Sequence, residues 1–466
     1  MNILRNILMF ITSIVLTLVP QKTYTEGLIG QPSSFLPNEA VTENDKTVSK
    51  LLFRGLYTYN KEGKLVEDLA DSYDISDDGL SYTVYLKKGQ KWSNSAEITA
   101  DDLLFSAFTS EQLKEVATDK IDKYTIRYTL PNKFSPFLSL LTMGVSPQVN
   151  VNSKVQPISS GPYKVLRLKK DGPVIREVIL QKLNGSYNIN NITFRYYENY
   201  NQLFTAGKLG EVTGFISPEE LSWPSFTKKT YFQGGIYYSL IFNLRNSKLN
   251  NLDIRKKLLA GTPIEYLAEK RGVRVSGPIS ESIFTKDDIK KQTYDPNISD
   301  NLNLDLTLTL PDTKEHIECG EDLKEAWKKL GVNLTLKPVK SDVIESEVLE
   351  KRDFEILLYG QEVSRDPDRY VLWHSTRVNY PGLNISGFEN IRLDRSLEEG
   401  RKALSEEERM KHYNIFQEVI NENVPSIYLY HPFMKYYISE KVKTTEGANI
   451  YYIHDRFVDF RNWDIL

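Results

Sequence analysis

Residues 50–107, KLLFRGLYTYNKEGKLVEDLADSYDISDDGLSYTVYLKKGQKWSNSAEITADDLLFSA, contain strand, turn and helix signals in close succession. The part YDISDDGLSYTVYLKKG predicts two extended segments around an Asp-Asp-Gly turn. The side chains of residues 82–87 alternate between an apolar and a more polar face, which is typical of a half-buried strand. Thr99 then predicts the N-cap of a helix with two aspartates in its first turn. The stretch therefore predicts a hairpin and a helix that belong to one small unit.

A second region, residues 302–358, alternates strand and helix patterns. LNLDLTLTL at 302–310 has period two, residues 318–330 carry apolar side chains at helical spacing, and VNLTLKPV and FEILLYG predict two more strands around a short helix at 342–351. This order predicts a parallel sheet with right-handed crossovers. Ligands of such sheets bind beyond the carboxyl ends of the strands, so the loop at 359–370, YGQEVSRDPDRY, is a candidate pocket rim.

The C-terminal part predicts further helix and strand. Residues 397–422 have the apolar stripe and acidic wet face of one long amphipathic helix. The sequence SIYLYH that follows predicts a strand, and an aromatic tail ends the chain.

Bulk composition is that of a soluble globular protein of more than one domain. The 466 residues are 40% hydrophobic and 26% charged, with a net charge of −3. A nearly neutral chain is not expected to bind a nucleic acid. The single cysteine, Cys319, excludes a disulfide within the chain.

The N-terminus predicts export. Arg5 precedes an apolar run at 7–19 that has the length of a signal-peptide core and is short for a membrane span. Residues 1–26 are therefore predicted to be a signal peptide or an N-terminal membrane anchor, with cleavage left open. The protein is expected to be periplasmic or at the cell surface.

Catalytic and metal signatures are missing from the sequence. It has no Gly-x-Ser-x-Gly elbow, phosphate-binding glycine loop or dinucleotide fingerprint. His316 and Cys319 supply only two ligands of a zinc site, and Asp366-Pro-Asp368 lacks the glycine and the glutamate of a calcium loop. We therefore expect no enzyme activity, no cofactor and no metal. A secreted hydrolase or peptidase remains an alternative, for which residues 374 and 431 supply the only histidines near the predicted pocket.

Six ordered motifs resemble one family, the periplasmic solute-binding proteins of peptide/nickel-type ABC importers, which include the oligopeptide- and dipeptide-binding proteins. The resemblance runs from about Gly27 to the C-terminus and is strongest over residues 50–107. The other motifs are SSGPYKV at 159–165, FNLRN at 242–246, LDIRKKLLAG at 252–261 and SGPIS at 276–280. The last is DPDRYVLWHS at 366–375, together with NISGF at 384–388.

The resemblance implies an α/β, two-lobed fold like that of type II periplasmic binding proteins, with mixed sheets and crossing hinge strands. Lobe I would span 27–232 with a small subdomain at about 60–156, lobe II would span 235–431, and the tail at 432–466 would return to lobe I. The implied function is that of a monomer that captures a solute, expected to be an oligopeptide, and delivers it to the permease and ATPase subunits of an importer. A sugar, a metal chelate, or a receptor or chaperone role in the same cleft stays open.

The resemblance also implies where the ligand binds. Backbone near Thr47 and Val48 and at Tyr359–Gln361 would face the cleft, with further side chains lining it. The predicted ligand-binding residues are Thr47, Val48, Tyr359, Gly360, Gln361, Glu362, Val363, Tyr370, Trp373 and Asn384.

One position departs from the peptide-binding pattern. In the peptide binders, an aspartate three residues before the Asp-Pro pair holds the α-ammonium group of the peptide. Val363 stands at that position here, and valine cannot pair with a cation. Glu362, one residue away, is the predicted substitute.

Overall fold

A mixed sheet of twelve strands runs through the centre of the molecule in the computed structural model. The structure describes residues 22–148, 153–183, 185–279, 292–298, 300–445 and 450–466. Residues 1–21 of the export segment predicted at 1–26, and the last residue of the SGPIS motif, lie outside the described residues. Within the described ranges, no helix is long and apolar enough to span a membrane.

The strands fall into the central sheet, a four-stranded sheet and two short ladders. In chain order they are β1 (Thr23–Ile29), β2 (Tyr57–Tyr59), β3 (Leu65–Glu67), β4 (Ala70–Ile75), β5 (Ser81–Leu86), β6 (Ala117–Asp122), β7 (Thr125–Thr129), β8 (Tyr163–Asp171), β9 (Val174–Lys182), β10 (Asn191–Tyr197), β11 (Gly214–Ile216), β12 (Phe226–Phe232), β13 (Ile236–Phe242), β14 (Gly272–Arg274), β15 (Leu304–Pro311), β16 (Val332–Val339), β17 (Ile356–Glu362), β18 (Ser426–Ser439), β19 (Val442–Lys443) and β20 (Asp464–Ile465).

Ten α-helices lie within the described residues. They are α1 (Glu43–Leu52), α2 (Ala100–Thr109), α3 (Phe137–Leu140), α4 (Tyr200–Lys208), α5 (Leu252–Ala260), α6 (Ile264–Glu269), α7 (Lys314–Lys328), α8 (Tyr370–Trp373), α9 (Ile391–Lys402) and α10 (Glu406–Asn423).

Strand β18 joins two halves of the central sheet. Its first residues, 426–430, pair with β13, and residues 433–439 pair with β12. Only residues 233–235 separate β12 from β13, so two chain segments cross side by side. We call the half with β12 lobe I (residues 22–232 and 433–466) and the half with β13 lobe II (residues 236–431). The predicted two-lobed α/β fold with mixed sheets and crossing strands is confirmed.

Lobe I begins earlier than the predicted residue 27. Strand β1 starts at Thr23 and runs parallel to β10 over seven residue pairs. Glu26 is fully buried, and its carboxylate accepts a hydrogen bond from Nε of Arg456 at 3.0 Å. The predicted boundary after residue 26 therefore cuts through a strand and an ion pair that hold the lobe together.

The small subdomain contains the hairpin and helix predicted from residues 50–107. Its four antiparallel strands have the order β4-β5-β7-β6. Gly79 has φ +69° in the turn between β4 and β5, a conformation that glycine adopts without strain. Thr99 caps α2 and forms a capping box with Asp102. These local predictions are confirmed.

Lobe II contains the predicted strand–helix–strand–helix–strand unit. Strand β15 is parallel to β16 and to β17. Helix α7 begins at Lys314, four residues before the prediction, because the side chain of Thr313 accepts a hydrogen bond from the amide of His316 and so caps the helix earlier. The predicted short helix at 342–351 is a single π-helical turn, Glu345–Leu349.

The helix predicted at 397–422 is two helices, α9 and α10. Ser405 ends the continuity, because its side chain accepts a hydrogen bond from the amide of Glu408 and starts a new helix. Leu404, an apolar residue within the predicted helix, lies in the break and is exposed. The apolar spacing continues across the break, which is why periodicity alone predicts one helix.

Candidate ligand-binding cleft

The last residues of β17 have one open backbone edge. The amide of Val363 donates to the carbonyl of Gly235, and Gln361 lies opposite Tyr237 in the same ladder. Because backbone groups of successive strand residues point to opposite edges, those of Gly360 and Glu362 point away from β13. Among the described residues, the ladder between β17 and β15 contains two pairs and ends at Leu357. The edge at Gly360 and Glu362 can therefore accept an added strand.

Because Gly360 has no side chain, the ring of Tyr238 packs closely against the end of β17. A Cβ atom there would lie 2.9 Å from Cζ of Tyr238. The Tyr238 ring in turn contacts the rings of His316 and Tyr430, with centroid distances of 4.8 and 5.4 Å. An aromatic surface thus lies directly beneath the strand end.

Glu362 carries the free charge of this edge. Its side chain is exposed, and no ion pair is found for it within the described residues. Burial raises the pKa of Tyr452, and the charges of Tyr451 and Glu362 add to that increase. A ligand cation that reaches the β17 edge would meet this carboxylate.

Val363 takes no part in charge recognition. It is 3% exposed and packs in an apolar cluster with Leu372, Trp373 and Tyr428. Its backbone carbonyl accepts a hydrogen bond from the hydroxyl of Tyr452 at 2.8 Å. The side chain is thus part of the lobe II core, while its backbone contacts the C-terminal tail.

The two aspartates of the loop that follows β17 form ion pairs with arginines of lobe II. Nη2 of Arg409 donates to both carboxylate oxygens of Asp366, at 2.7 and 2.9 Å. Arg401 pairs with Asp368 at 3.0 Å, and burial outweighs this attraction and raises the pKa of the Asp368 carboxyl. Arg369 is 1% exposed and donates to the carbonyl oxygens of Pro278 and Asp366. The loop at 363–369 is therefore held in place by ion pairs and hydrogen bonds. No cluster of metal-ligating side chains occurs in the described ranges.

Tyr370, Trp373 and Asn384 lie beside this loop. The half-buried Tyr370 ring stacks on His374 at 4.1 Å and carries the Arg401 guanidinium above it at 4.3 Å. Trp373 is 2% exposed, and the fully buried Asn384 donates from its amide to the carbonyls of Trp373 and Phe388. Trp373 and Asn384 are thus packed inside lobe II. Their contact with a ligand stays a prediction.

Several buried polar atoms of lobe II have no protein partner among the described residues. They include Oε1 of Gln361, Oγ of Ser239 and Oδ1 of Asn384. Ser239 lies opposite Tyr359 in the ladder, two pairs away from Gln361 and therefore on the same sheet face. A buried polar atom without a partner is costly, so these groups mark a place where water or a polar ligand group satisfies them.

Thr47 and Val48 lie in the middle of α1, which corrects one expectation. Their backbone groups bond within the helix, so a ligand strand cannot pair with them. Val48 is buried in the lobe I core, and the Thr47 hydroxyl accepts a hydrogen bond from Nη1 of Arg456 at 2.8 Å. The open backbone edge at Gly360 and Glu362 belongs to β17.

Sequence reasoning missed the C-terminal residues that contact the loop after β17. Tyr451, Tyr452 and Asp455 from the tail contact the loop that follows β17. The only signal in the sequence is the aromatic content of the tail, which does not predict these partners.

The two histidines considered for a hydrolase have separate partners. His374 contacts Thr376 through Nδ1 and Glu398 through Nε2. Nδ1 of His431 contacts the backbone carbonyl of Ile236. Neither histidine is paired with a serine or cysteine in these contacts.

Comparison with known proteins identifies the class to which this two-lobed cleft belongs. The family model for bacterial extracellular solute-binding proteins, family 5 Middle, matches residues 64–380. The chain is 23% identical over 472 residues to the oligopeptide-binding protein AppA of Bacillus subtilis, covering 87% of this chain and 85% of AppA.

Solved structures agree on the fold. The ABC transporter substrate binding protein CtaP from Listeria monocytogenes has a TM-score of 0.81 at 22% identity, covering 96% of this chain and 99% of CtaP. NikZ from Campylobacter jejuni, solved with Ni(L-His), has a TM-score of 0.73 at 20% identity, covering 96% of this chain and 100% of NikZ.

The protein is thus a two-lobed, extracytoplasmic binding protein of the substrate-binding class. It belongs to the bacterial extracellular solute-binding proteins of family 5. The resemblance stated from the sequence motifs is confirmed.

Proposed function

We propose that this protein captures an oligopeptide between its two lobes and delivers it to the permease and ATPase subunits of an ABC importer. The observation that carries the proposal is the open edge of β17 at Gly360 and Glu362, next to the strands that cross between the lobes. A peptide that adds to this edge as a strand gains main-chain hydrogen bonds whatever its sequence. The relative AppA is named as an oligopeptide-binding protein, which supports this cargo.

Glu362 anchors the peptide's α-ammonium group in this proposal. It supplies an exposed carboxylate at the strand edge that has no ion pair among the described residues, whereas Val363 is buried in apolar packing. A charge-assisted hydrogen bond of this kind is about twice as strong as a neutral one.

The protein acts as a monomer outside the cytoplasm and performs no chemistry on its cargo. The apolar run at 7–19 directs export, and it tethers the chain to the membrane if it is not cleaved.

A thermal-shift screen of residues 22–466, after partial unfolding and refolding to remove bound ligand, tests the cargo. The panel contains a free peptide pool, the same pool N-acetylated, sugars and metal chelates. At a ligand concentration 100-fold above Kd, stabilisation is about 2.7 kcal/mol. We expect the free pool to raise Tm more than the acetylated pool. A shift with sugars or chelates and none with peptides would make the cargo assignment wrong.

The role of Glu362 is tested with a matched pair of variants. Glu362→Gln removes the charge at the edge, and Glu325→Gln removes an exposed charge on α7 in the same lobe. We expect Glu362→Gln to abolish the preference for free over acetylated peptides and Glu325→Gln to keep it. If both variants keep the preference, another group holds the ammonium.

A further inference from the structure

Arg365 reaches from lobe II into lobe I. It lies in the loop that follows β17, and its guanidinium carbon is 5.0 Å from the ring centroid of Tyr59 and 4.4 Å from that of Tyr451. Its Nη2 donates to Oδ2 of Asp455 at 3.2 Å. The guanidinium thus contacts two aromatic rings and ends on a carboxylate, a geometry that suits arginine and not lysine.

The partners of Arg365 are fixed to lobe I. Tyr59 is part of β2, and Asp455 is bonded to Lys50 of α1 and to the backbone amide of Tyr452. Burial alone would raise the pKa of Asp455, but Lys50 and Arg365 hold it well below its usual value, so the carboxylate is charged. The side chains of Arg365 and Asp455 are 11% and 8% exposed, which makes this pair a buried one.

Two tyrosine hydroxyls add hydrogen bonds between the same segments. Tyr451 donates to the carbonyl of Ser364 and Tyr452 to the carbonyl of Val363, each at 2.8 Å. These carbonyls follow directly on the open edge of β17. A ligand that orders Gly360 and Glu362 therefore acts on a segment that is one residue away from the contacts between the lobes.

The same tail covers the crossing between the lobes. The amide of Gly235 donates to the carbonyl of Tyr451 at 2.7 Å, and a Cβ atom at Gly235 would lie 2.4 Å from the Tyr452 ring. A rotation of the lobes about this crossing thus changes the distance between the tail and the loop of Arg365.

We propose that Arg365, Asp455 and the hydroxyls of Tyr451 and Tyr452 form a latch that holds the two lobes closed and sets the apparent affinity for the ligand. Its effect on affinity rests on the proposed function, whereas its effect on lobe closure does not. An arginine pair that exists only when the lobes are together stabilises the closed state relative to the open one, and a ligand that needs the closed state binds in proportion to its population.

Spin-label distances in the ligand-free protein test the closure directly. Labels at Lys170→Cys and Lys328→Cys, both exposed, lie on lobe I and lobe II. The buried Cys319 stays unlabelled, because burial raises the pKa of its thiol to about 11. Electron–electron double resonance then reports the distribution of distances between the lobes.

We expect Arg365→Ala and the double variant Tyr451→Phe with Tyr452→Phe to shift this distribution towards the open state. Arg392→Ala removes an arginine whose two ion pairs lie within lobe II, and it should leave the distribution unchanged. The phenylalanine variants keep both rings in place, so a loss of folding does not explain a shift. If both latch variants keep the wild-type distribution, the latch is wrong.

Peptides found in the screen supply the second measurement. We expect Arg365→Ala to raise Kd by about tenfold, since a smaller fraction of the protein is closed. A raised Kd with an unchanged distance distribution would place the effect at the ligand and overturn the latch. If no peptide binds the wild-type protein, the proposed function fails, and the ligand-free distances still decide on the latch.

Discussion

Asp366 and Asp368 determine the charge that is left at the ligand edge. Each is paired with an arginine inside lobe II, so neither is available to a ligand. Glu362 is then the exposed carboxylate at the open edge of β17. In the proposed function, charge recognition therefore depends on Glu362 and not on the acidic loop as a whole.

The Arg409–Asp366 pair is expected to matter for stability. The two side chains are 9% and 11% exposed, so Arg409→Met leaves a carboxylate buried without its partner. Breaking a buried pair in this way costs about 3 kcal/mol or more. We expect a loss of that size in urea unfolding.

Arg392→Met serves as the control for that measurement. The pair that Arg392 forms with Glu418 is about half exposed on both sides, and such pairs contribute about 0–1 kcal/mol. Equal losses for the two variants would contradict a buried structural role of Arg409.

His316 makes stability depend on pH. Burial, with a smaller effect of the Arg271 charge, lowers the pKa of His316 to about 4. Between its ordinary pKa near 6.5 and this value, the unfolded chain binds a proton that the folded protein does not bind. The free energy of unfolding therefore decreases as the pH falls through this window, by about 3 kcal/mol at most.

Urea unfolding at pH 4.5 and pH 7 measures this effect. We expect His316→Gln to reduce the difference in stability between the two pH values, whatever it does to stability at pH 7. His412→Gln, on α10, should retain the wild-type difference. An unchanged difference in His316→Gln would mean that the acid sensitivity arises from other titratable groups.

At the scale of elements, some features follow from local sequence signals, and others cannot be located from the sequence pattern. The hairpin at β4 and β5 and the cap at Thr99 depend on residues within a few positions of one another, and both are present as predicted. The break between α9 and α10 depends on one capping bond at Ser405 inside a continuous apolar pattern. Periodicity cannot locate such a break.

The site shows the same division. The end of β17 is predictable, because it follows from the strand order of a parallel unit. The contact between Arg365 and Asp455 joins residues that are 90 positions apart and has no local pattern. The helical position of Thr47 likewise opposes an expectation that was taken from motif position alone.

The short strand β14 offers a test of packing at the crossing. A Cβ atom at Gly272 would lie 1.8 Å from the carbonyl oxygen of His431, which belongs to β18. Because backbone cannot yield as a side chain does, Gly272→Ala is expected to destabilise the protein by about 2 kcal/mol.

Gly185→Ala is the matched control, since a Cβ atom there meets no other atom within 4 Å. Thermal unfolding of both variants measures the difference. If Gly272→Ala unfolds at the wild-type temperature, β14 does not pair with β18 in solution.

At the scale of the molecule, one long strand couples the two halves. Strand β18 contributes to the sheets of both lobes, and the tail that follows it returns to contact the loop after β17. The open edge of β17, the crossing strands and the tail are thus joined by direct contacts. Ligand binding at the edge and movement of the lobes are expected to be linked through them.

Amide hydrogen exchange resolved to single residues, with and without a peptide from the screen, tests the central claim most directly. The account predicts that the peptide slows exchange at Gly360 and Glu362, whose amides point to the open edge, and changes Gln361 less, since its amide already faces β13. Protection in another part of the molecule, with unchanged exchange at Gly360 and Glu362, would contradict capture of the peptide at the edge of β17.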